Sequence, residues 1–137
     1  MSDPDKWTLM RLNRGDELPD ALVKLAASHG WKSGAISAIG AVSELALAYY
    51  DLPTKSYLSH EVAGIVEVVS MTGNLCIVDE APFWHIHIVV ADSHGECRGG
   101  HLVRCKVALT LECSIWPSAR NISRELDSSL GLKLLTV

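Results

Sequence analysis

The run Phe83-Trp84-His85-Ile86-His87-Ile88-Val89-Val90 repeats with a period of two. A strand sends residues i and i+2 to one face and i+1 to the other. His85 and His87 therefore share a face, and Ile86, Ile88 and Val90 line the opposite one. The polar stretch Asp92-Ser93-His94-Gly95-Glu96 follows, then Gly99-Gly100-His101. A long run over residues 102–115 comes next, with Val107, Leu109, Leu111 and Cys113 alternating with Ala108, Thr110, Glu112 and Ser114. Two such runs around a short polar segment with a glycine form an antiparallel hairpin, which restricts the chain to folds built on antiparallel strands.

Register decides whether His101 joins the histidine pair. With residues 93–95 as a three-residue loop and Gly95 in its left-handed position, Asp92 faces Glu96, Ala91 faces Cys97, Val89 faces Gly99 and His87 faces His101. All three histidines then lie on one face. An even loop would send His101 to the other face, because a one-residue slip reverses every side chain. A bulge at Gly99-Gly100 would also break the count. The same two glycines leave space beside the site for a ligand or another strand.

Three neutral imidazoles suit zinc at about 2.0 to 2.1 Å and leave a fourth position for water or substrate. Nickel, copper or iron would also accept such donors. A single strand histidine more often satisfies a local hydrogen bond, but a His-x-His pair with a third histidine in register favours the metal site. Cys97 shares that face, yet two strand pairs from His101 it lies about 13 Å along the strand, too far for a fourth ligand. Cys76, Cys97, Cys105 and Cys113 show no Cys-x-x-Cys spacing and are expected to be reduced and mostly buried.

A chain of 137 residues is expected to form one domain over residues 1–137 with a real core. Hydrophobic residues at 48% and charged residues at 20% exclude a disordered chain. No apolar run approaches the roughly 20 residues of a transmembrane helix. Met1-Ser2-Asp3-Pro4-Asp5-Lys6 lacks the basic segment and apolar run of a secretory signal, so the cytoplasm is the expected compartment. A net charge of −4, with Arg98, Arg104, Lys106, Arg120 and Arg124 spread out, argues against broad nucleic-acid binding.

Residues 7–12 alternate as a strand with at least one buried face, and Arg14-Gly15-Asp16 turns the chain. From about Glu17, the positions of Leu18, Leu22, Leu25 and Ala26 follow helical spacing; Pro19 fits a first turn and Gly30 a C-terminal stop. His29 at that end suits the helix dipole. Residues 34–42 and 45–50 read as two strands joined near residues 40–43, and residues 52–56 as a turn. A strand from Tyr57 and another over residues 62–72, with Gly64 as a break, lead to Gly73-Asn74. Residues 75–78 resume the sheet, and residues 79–82 break it. After Trp116-Pro117, Ser118 is placed to cap a short helical segment, and residues 130–137 to give a strand or packed tail. The fold class is α+β, mostly antiparallel, with one principal helix.

Several segments together resemble the plants-and-prokaryotes-conserved (PPC) domain. They are Ala38-Ile39-Gly40-Ala41, the run from Val66 to Asn74, His85-Ile86-His87, Gly99-Gly100-His101-Leu102 and Thr110-Leu111-Glu112, with Arg11 to Leu18 and Arg124 to Leu132 fitting at either end. The resemblance implies a compact homotrimer whose stand-alone prokaryotic members carry a histidine-bound metal near the subunit boundary, and His85, His87 and His101 fall on those positions. Plant members join the domain to AT-hooks that bind the minor groove, but this chain has no Arg-Gly-Arg-Pro hook. It also departs from the pattern at Leu102-Val103-Arg104-Cys105, where a glycine is expected shortly after the histidine.

Three functions follow from this reading. The first is a metal-dependent enzyme or small-ligand binder, in which the metal lowers the pKa of bound water and polarises a substrate oxygen. Hydrolysis would need a general base, and Glu67 or Glu112 is the candidate by motif position. The second is a DNA-associated regulatory module, and the third a structural trimer tied together by metal.

Overall fold

The structure, a computed structural model, describes residues 6–137. The amino-terminal segment read above for an export signal lies, apart from Lys6, outside the described residues. No helix among the described residues is long and apolar enough to cross a membrane.

Among the described residues, nine strands and one helix follow in the order β1 (Thr8–Asn13), β2 (Glu17–Leu18), α1 (Asp20–His29), β3 (Ser33–Asp51), β4 (Ser56–Val62), β5 (Val66–Val78), β6 (Ala81–Ala91), β7 (Cys97–Ser118), β8 (Arg124–Asp127) and β9 (Leu132–Leu135). Within the main sheet every pairing is antiparallel. β7 pairs with β6, β6 with β5, β5 with β3, and β3 returns to β7. These four strands form a closed circuit, so none of them is a free edge along its whole length. β1 and β2 add to β7, β4 adds to β3, and β8 pairs with β9 in a separate hairpin.

Alternation produces the core. Trp84, Ile86, Ile88 and Val90 of β6 point inward beside Leu47, Met71, Leu75 and Leu111. The helix closes over this interior with Leu22 and Ala26, both fully buried, and stops at Gly30. Trp84 is fixed from both ends, its ring in the core and its Nε1 donating to Leu22 O at 3.0 Å. That bond fastens the helix to the histidine strand.

Three strand assignments differ from the sequence expectation, the first being Glu17–Leu18, read as the start of the helix, which pair with Lys106 and Cys105 as β2. Residues 33–51 form one continuous strand, bent where its register with β7 shifts between Gly40 and Val42 and again across residues 43–47. Between Val42↔Val107 and Gly40↔Leu111, β3 advances two residues while β7 advances four. The extra β7 residues bulge outward, leaving Leu109 58% exposed while Val107 and Leu111 stay buried. Gly40 allows this bend, because a Cβ there would run into Thr110 O. β5 likewise runs through Gly73-Asn74 unbroken, and only Asp79 and Glu80, with φ of 50° and 67°, make the turn into β6. Such a two-residue turn matches the twist of the strands it joins. The helical segment expected after Ser118 is absent among the described residues; Ser118 Oγ accepts from Arg120 N at 3.1 Å, but the chain runs on to β8.

Candidate metal centre

The β6–β7 hairpin has the odd loop that brings the histidines together. Asp92 N donates to Glu96 O and Gly95 N to Asp92 O, each at 3.0 Å. Asp92 Oδ1 accepts from His94 N and Glu96 N, and Gly95 takes the left-handed conformation at φ 78°. Three residues therefore separate the paired ends, and Ala91↔Cys97, Val89↔Gly99 and His87↔His101 follow. No bulge intervenes at Gly99-Gly100, so His85, His87 and His101 lie on one face.

One nitrogen from each of these rings lies within 4.8 Å of the others. His85 Nε2 and His87 Nε2 are 3.1 Å apart. Two ligands at about 2.1 Å from one ion are separated by about 3.0 to 3.4 Å for angles between octahedral and tetrahedral, so this pair already has a ligand spacing. The His101 ring is slightly farther, its centroid 5.3 Å from that of His85 and 5.7 Å from that of His87. A buried ring nitrogen, His101 Nδ1, has no hydrogen-bond partner among the described residues. Buried polar atoms are rarely left unsatisfied, and an ion bound through Nδ1 of His101 would satisfy this one. The donor set fits a divalent transition metal. It contains no fourth histidine, cysteine or carboxylate among the described residues.

Electrostatics prepare the rings for ligation, which needs neutral imidazole. Burial, helped by His87, Arg124 and His101, lowers the His85 pKa from 6.5 to about 4. Burial and then His87 lower that of His101 as well.

Residues beyond the triad shape the site. Register sets Asn74 opposite His85 and Thr72 opposite His87. Arg124, the first residue of β8, reaches across to donate to Asn74 Oδ1 at 2.9 Å and Cys76 Sγ at 3.2 Å. Its guanidinium lies 3.5 Å from His85 Nδ1 and 5.6 Å from the Phe83 ring centroid. On the other side, the Tyr57 ring lies 4.9 Å from that of His101.

The two carboxylates considered as bases lie elsewhere. Glu67 pairs with Ala91, four residues along β6 from His87 and about 13 Å away at strand rise. Glu112 pairs with Arg11 and Ile39 on a distant part of β7. Neither joins the histidine cluster. Among the cysteines only Cys97 is exposed, and all four are free. Burial raises the Cys105 thiol to about 12 and the Cys113 thiol to about 11, which removes both from thiolate chemistry.

Asn74 was legible through the hairpin rule. Reading Asp79-Glu80 as the whole turn pairs Val78 with Ala81 and, counting back, Asn74 with His85. Arg124 and Tyr57 come from distant segments, and no local pattern points to them.

A family profile described as the Plants and Prokaryotes Conserved (PCC) domain matches residues 2–117. A PPC protein of Pyrococcus horikoshii has a similar structure, with a TM-score of 0.90 and 26% identity over 96% of this chain and 92% of its own. A protein of Archaeoglobus fulgidus described as metal-containing gives a TM-score of 0.89 and 32% identity, covering 98% of this chain and 96% of that one. A Bacteroides thetaiotaomicron protein with a provisional DNA-binding name gives a TM-score of 0.92 and 27% identity, over 99% and 94%. Among curated proteins, the bifunctional protein GlmU of a Synechococcus strain is 30% identical over 125 residues. That match takes in 89% of this chain but only 18% of the relative's length.

Proposed function

Because the chain belongs to the plants and prokaryotes conserved domain family, we propose that it is a homotrimeric metal-binding protein whose His85, His87 and His101 hold one divalent ion, with zinc the expected metal. In this reading the ion keeps an open coordination position and receives a small ligand there. The convergence of three ring nitrogens within 4.8 Å on one sheet face carries the reading. The metal-containing relative, 32% identical over nearly the whole chain, supports it. When bound, such an ion supplies Lewis acidity and lowers the pKa of coordinated water. The chain's own part is to hold the three rings in place, His87 and His101 across a strand pair and His85 against Arg124.

A cluster of three donors favours an open site over a closed structural one, which ordinarily takes four protein ligands. Neither Glu67 nor Glu112 is placed to act as a base on that ion, so the proposal is one of binding, with no reaction assigned. The DNA-binding name of the Bacteroides neighbour suggests a second reading, tested by salt dependence below.

Native mass spectrometry tests the proposal in one measurement. The expected species has three times the chain mass of 14.9 kDa and one metal ion per chain, and His87→Ala loses the ion. A His87→Ala protein that keeps its full metal content removes the site assignment; a monomer that still binds metal removes only the assembly.

A further inference from the structure

The pairing of β6 with β7 ends at His87↔His101. Farther along, β7 instead pairs with β2, placing Leu18 opposite Cys105 and Glu17 opposite Lys106. The sheet splits at this point, and a cavity of about 390 Å³ opens in the gap, walled by Tyr57, Phe83, Trp84, His101 and Leu102. His101 therefore belongs both to the triad and to the cavity wall.

The chemistry of the wall is one-sided. Trp84 has committed its only donor to Leu22 O and shows the cavity ring carbon alone. Tyr57 lies tilted against His101, their planes 34° apart and their centroids 4.9 Å apart, and the Phe83 ring is on the same cavity. Ala48 pairs with both His101 and Ser59, so a methyl group lies between them where a larger side chain would fill the space. No aspartate or glutamate is among the described residues lining the cavity. Arg124 lies 5.6 Å from the centroid of the Phe83 ring, and the ion the triad would hold adds a second positive charge.

Flat aromatic walls select a flat ring through offset or edge contacts. Zinc accepts a carboxylate oxygen at an open position, and a wall without carboxylates does not repel an anion brought to it. The volume lies near the lower end of ordinary small-molecule pockets, about 300 to 1,000 Å³, which suits one or two rings. We infer that the cavity seats the ring of a small aromatic carboxylate, whose carboxylate oxygen takes the open position on the triad metal. This rests on the metal reading above and adds the ligand class.

The test uses the intact protein loaded with Co²⁺, whose visible absorption reports its coordination sphere, titrated separately with benzoate and with acetate. Both acids offer the same donor, so any difference between them measures the ring. Benzoate is expected to shift the cobalt bands at about one tenth of the acetate concentration or less, the fold-change that burying one aromatic ring against others produces. Two variants that still bind one cobalt per chain then locate the effect: Tyr57→Ala removes a wall, and Ser59→Leu fills the space. Each is expected to reduce the advantage of benzoate at least threefold. Equal responses to the two acids, or an advantage that survives in both variants, overturns the ligand class and leaves the metal site standing. Absence of bound cobalt in the parent protein overturns the metal reading, and this inference with it.

Discussion

His85 stays neutral further into acid than a free imidazole because burial strips water from its ring while His87, Arg124 and His101 add positive potential. This has a definite consequence for the metal-free protein. The folded state, with His85 at about 4, binds fewer protons than an unfolded chain with histidine at 6.5. Stability therefore rises with pH through that window and is lost as pH falls from 6.5 towards 4. Lowering of the His101 pKa acts in the same direction. Asp127, held below its ordinary value by the Ser129 hydroxyl first and the Leu130 amide next, titrates below this window. The melting temperature of chelated protein is thus expected to fall on acidification from pH 6.5 to 4, and His85→Gln to flatten part of that slope. An unchanged slope in the variant would assign the acid transition to other groups. At this scale the sequence was highly informative: His85 and His87 share a face by period alone, and only the loop length was needed to add His101. What the sequence lacked was any sign of the burial that tunes the rings, because burial depends on segments far away in the chain.

Arg124 couples the β8–β9 hairpin to the histidine strand. It starts that hairpin, bonds within it to Lys133 O at 3.2 Å, and meets Asn74, Cys76 and His85 on β5 and β6. Tyr50 adds a second tie by donating to Leu130 O in the loop between β8 and β9. Arg124 only donates, so it cannot accept the Nδ1–H of a His85 that binds metal through Nε2, and it acts on the site by fixing Asn74 opposite that ring; supporting residues of this kind commonly affect metal affinity by about 10- to 100-fold. Arg124→Ala is therefore expected to weaken metal binding by about tenfold and to speed amide exchange across residues 124–135, leaving exchange in β7 near its parent rate. Hydrogen-exchange mass spectrometry reads the second effect and competition with a chromophoric chelator the first; faster exchange with intact affinity would make Arg124 a fastener of the hairpin only. The hairpin also shows where strand patterns mislead. Gly40 was read in the segment joining two strands and Gly73 at the end of one, but both lie within continuous strands, placed where a neighbouring backbone comes too close for a Cβ. A glycine that opens a turn and a glycine that admits a crossing strand look alike in sequence, and only the partner's position distinguishes them. Ser118 failed for a related reason: its hydroxyl caps an amide as expected, but no run of helix-forming contacts follows it.

Across the whole molecule, charge separates the ligand-binding reading from the DNA reading. Binding duplex DNA draws its affinity from lysines and arginines that replace counterions along phosphates. This chain carries 12 such residues against 16 carboxylates, and several of them already have partners. Arg104 meets Glu61 at 2.5 Å, Lys106 meets Glu44 at 3.0 Å, and Lys133 meets Asp79 at 3.4 Å. Arg124 is turned towards the histidine site. Exposed pairs of this kind contribute little to stability, yet each places a carboxylate where a phosphate would have to approach. A bound divalent ion would change the net charge of −4 to about −2 per chain, still negative, and would concentrate the gain on one small concave site better suited to a carboxylate than to a duplex. The expected result is no measurable binding to a random-sequence duplex by fluorescence anisotropy at about 50 mM salt, with or without metal. A regulatory DNA-binder would behave differently, showing clear affinity at that salt and losing about 10³- to 10⁵-fold by 200 mM if it neutralised six to ten phosphates. Observing that steep loss would overturn the charge argument and move the DNA-binding name of the Bacteroides neighbour onto this chain.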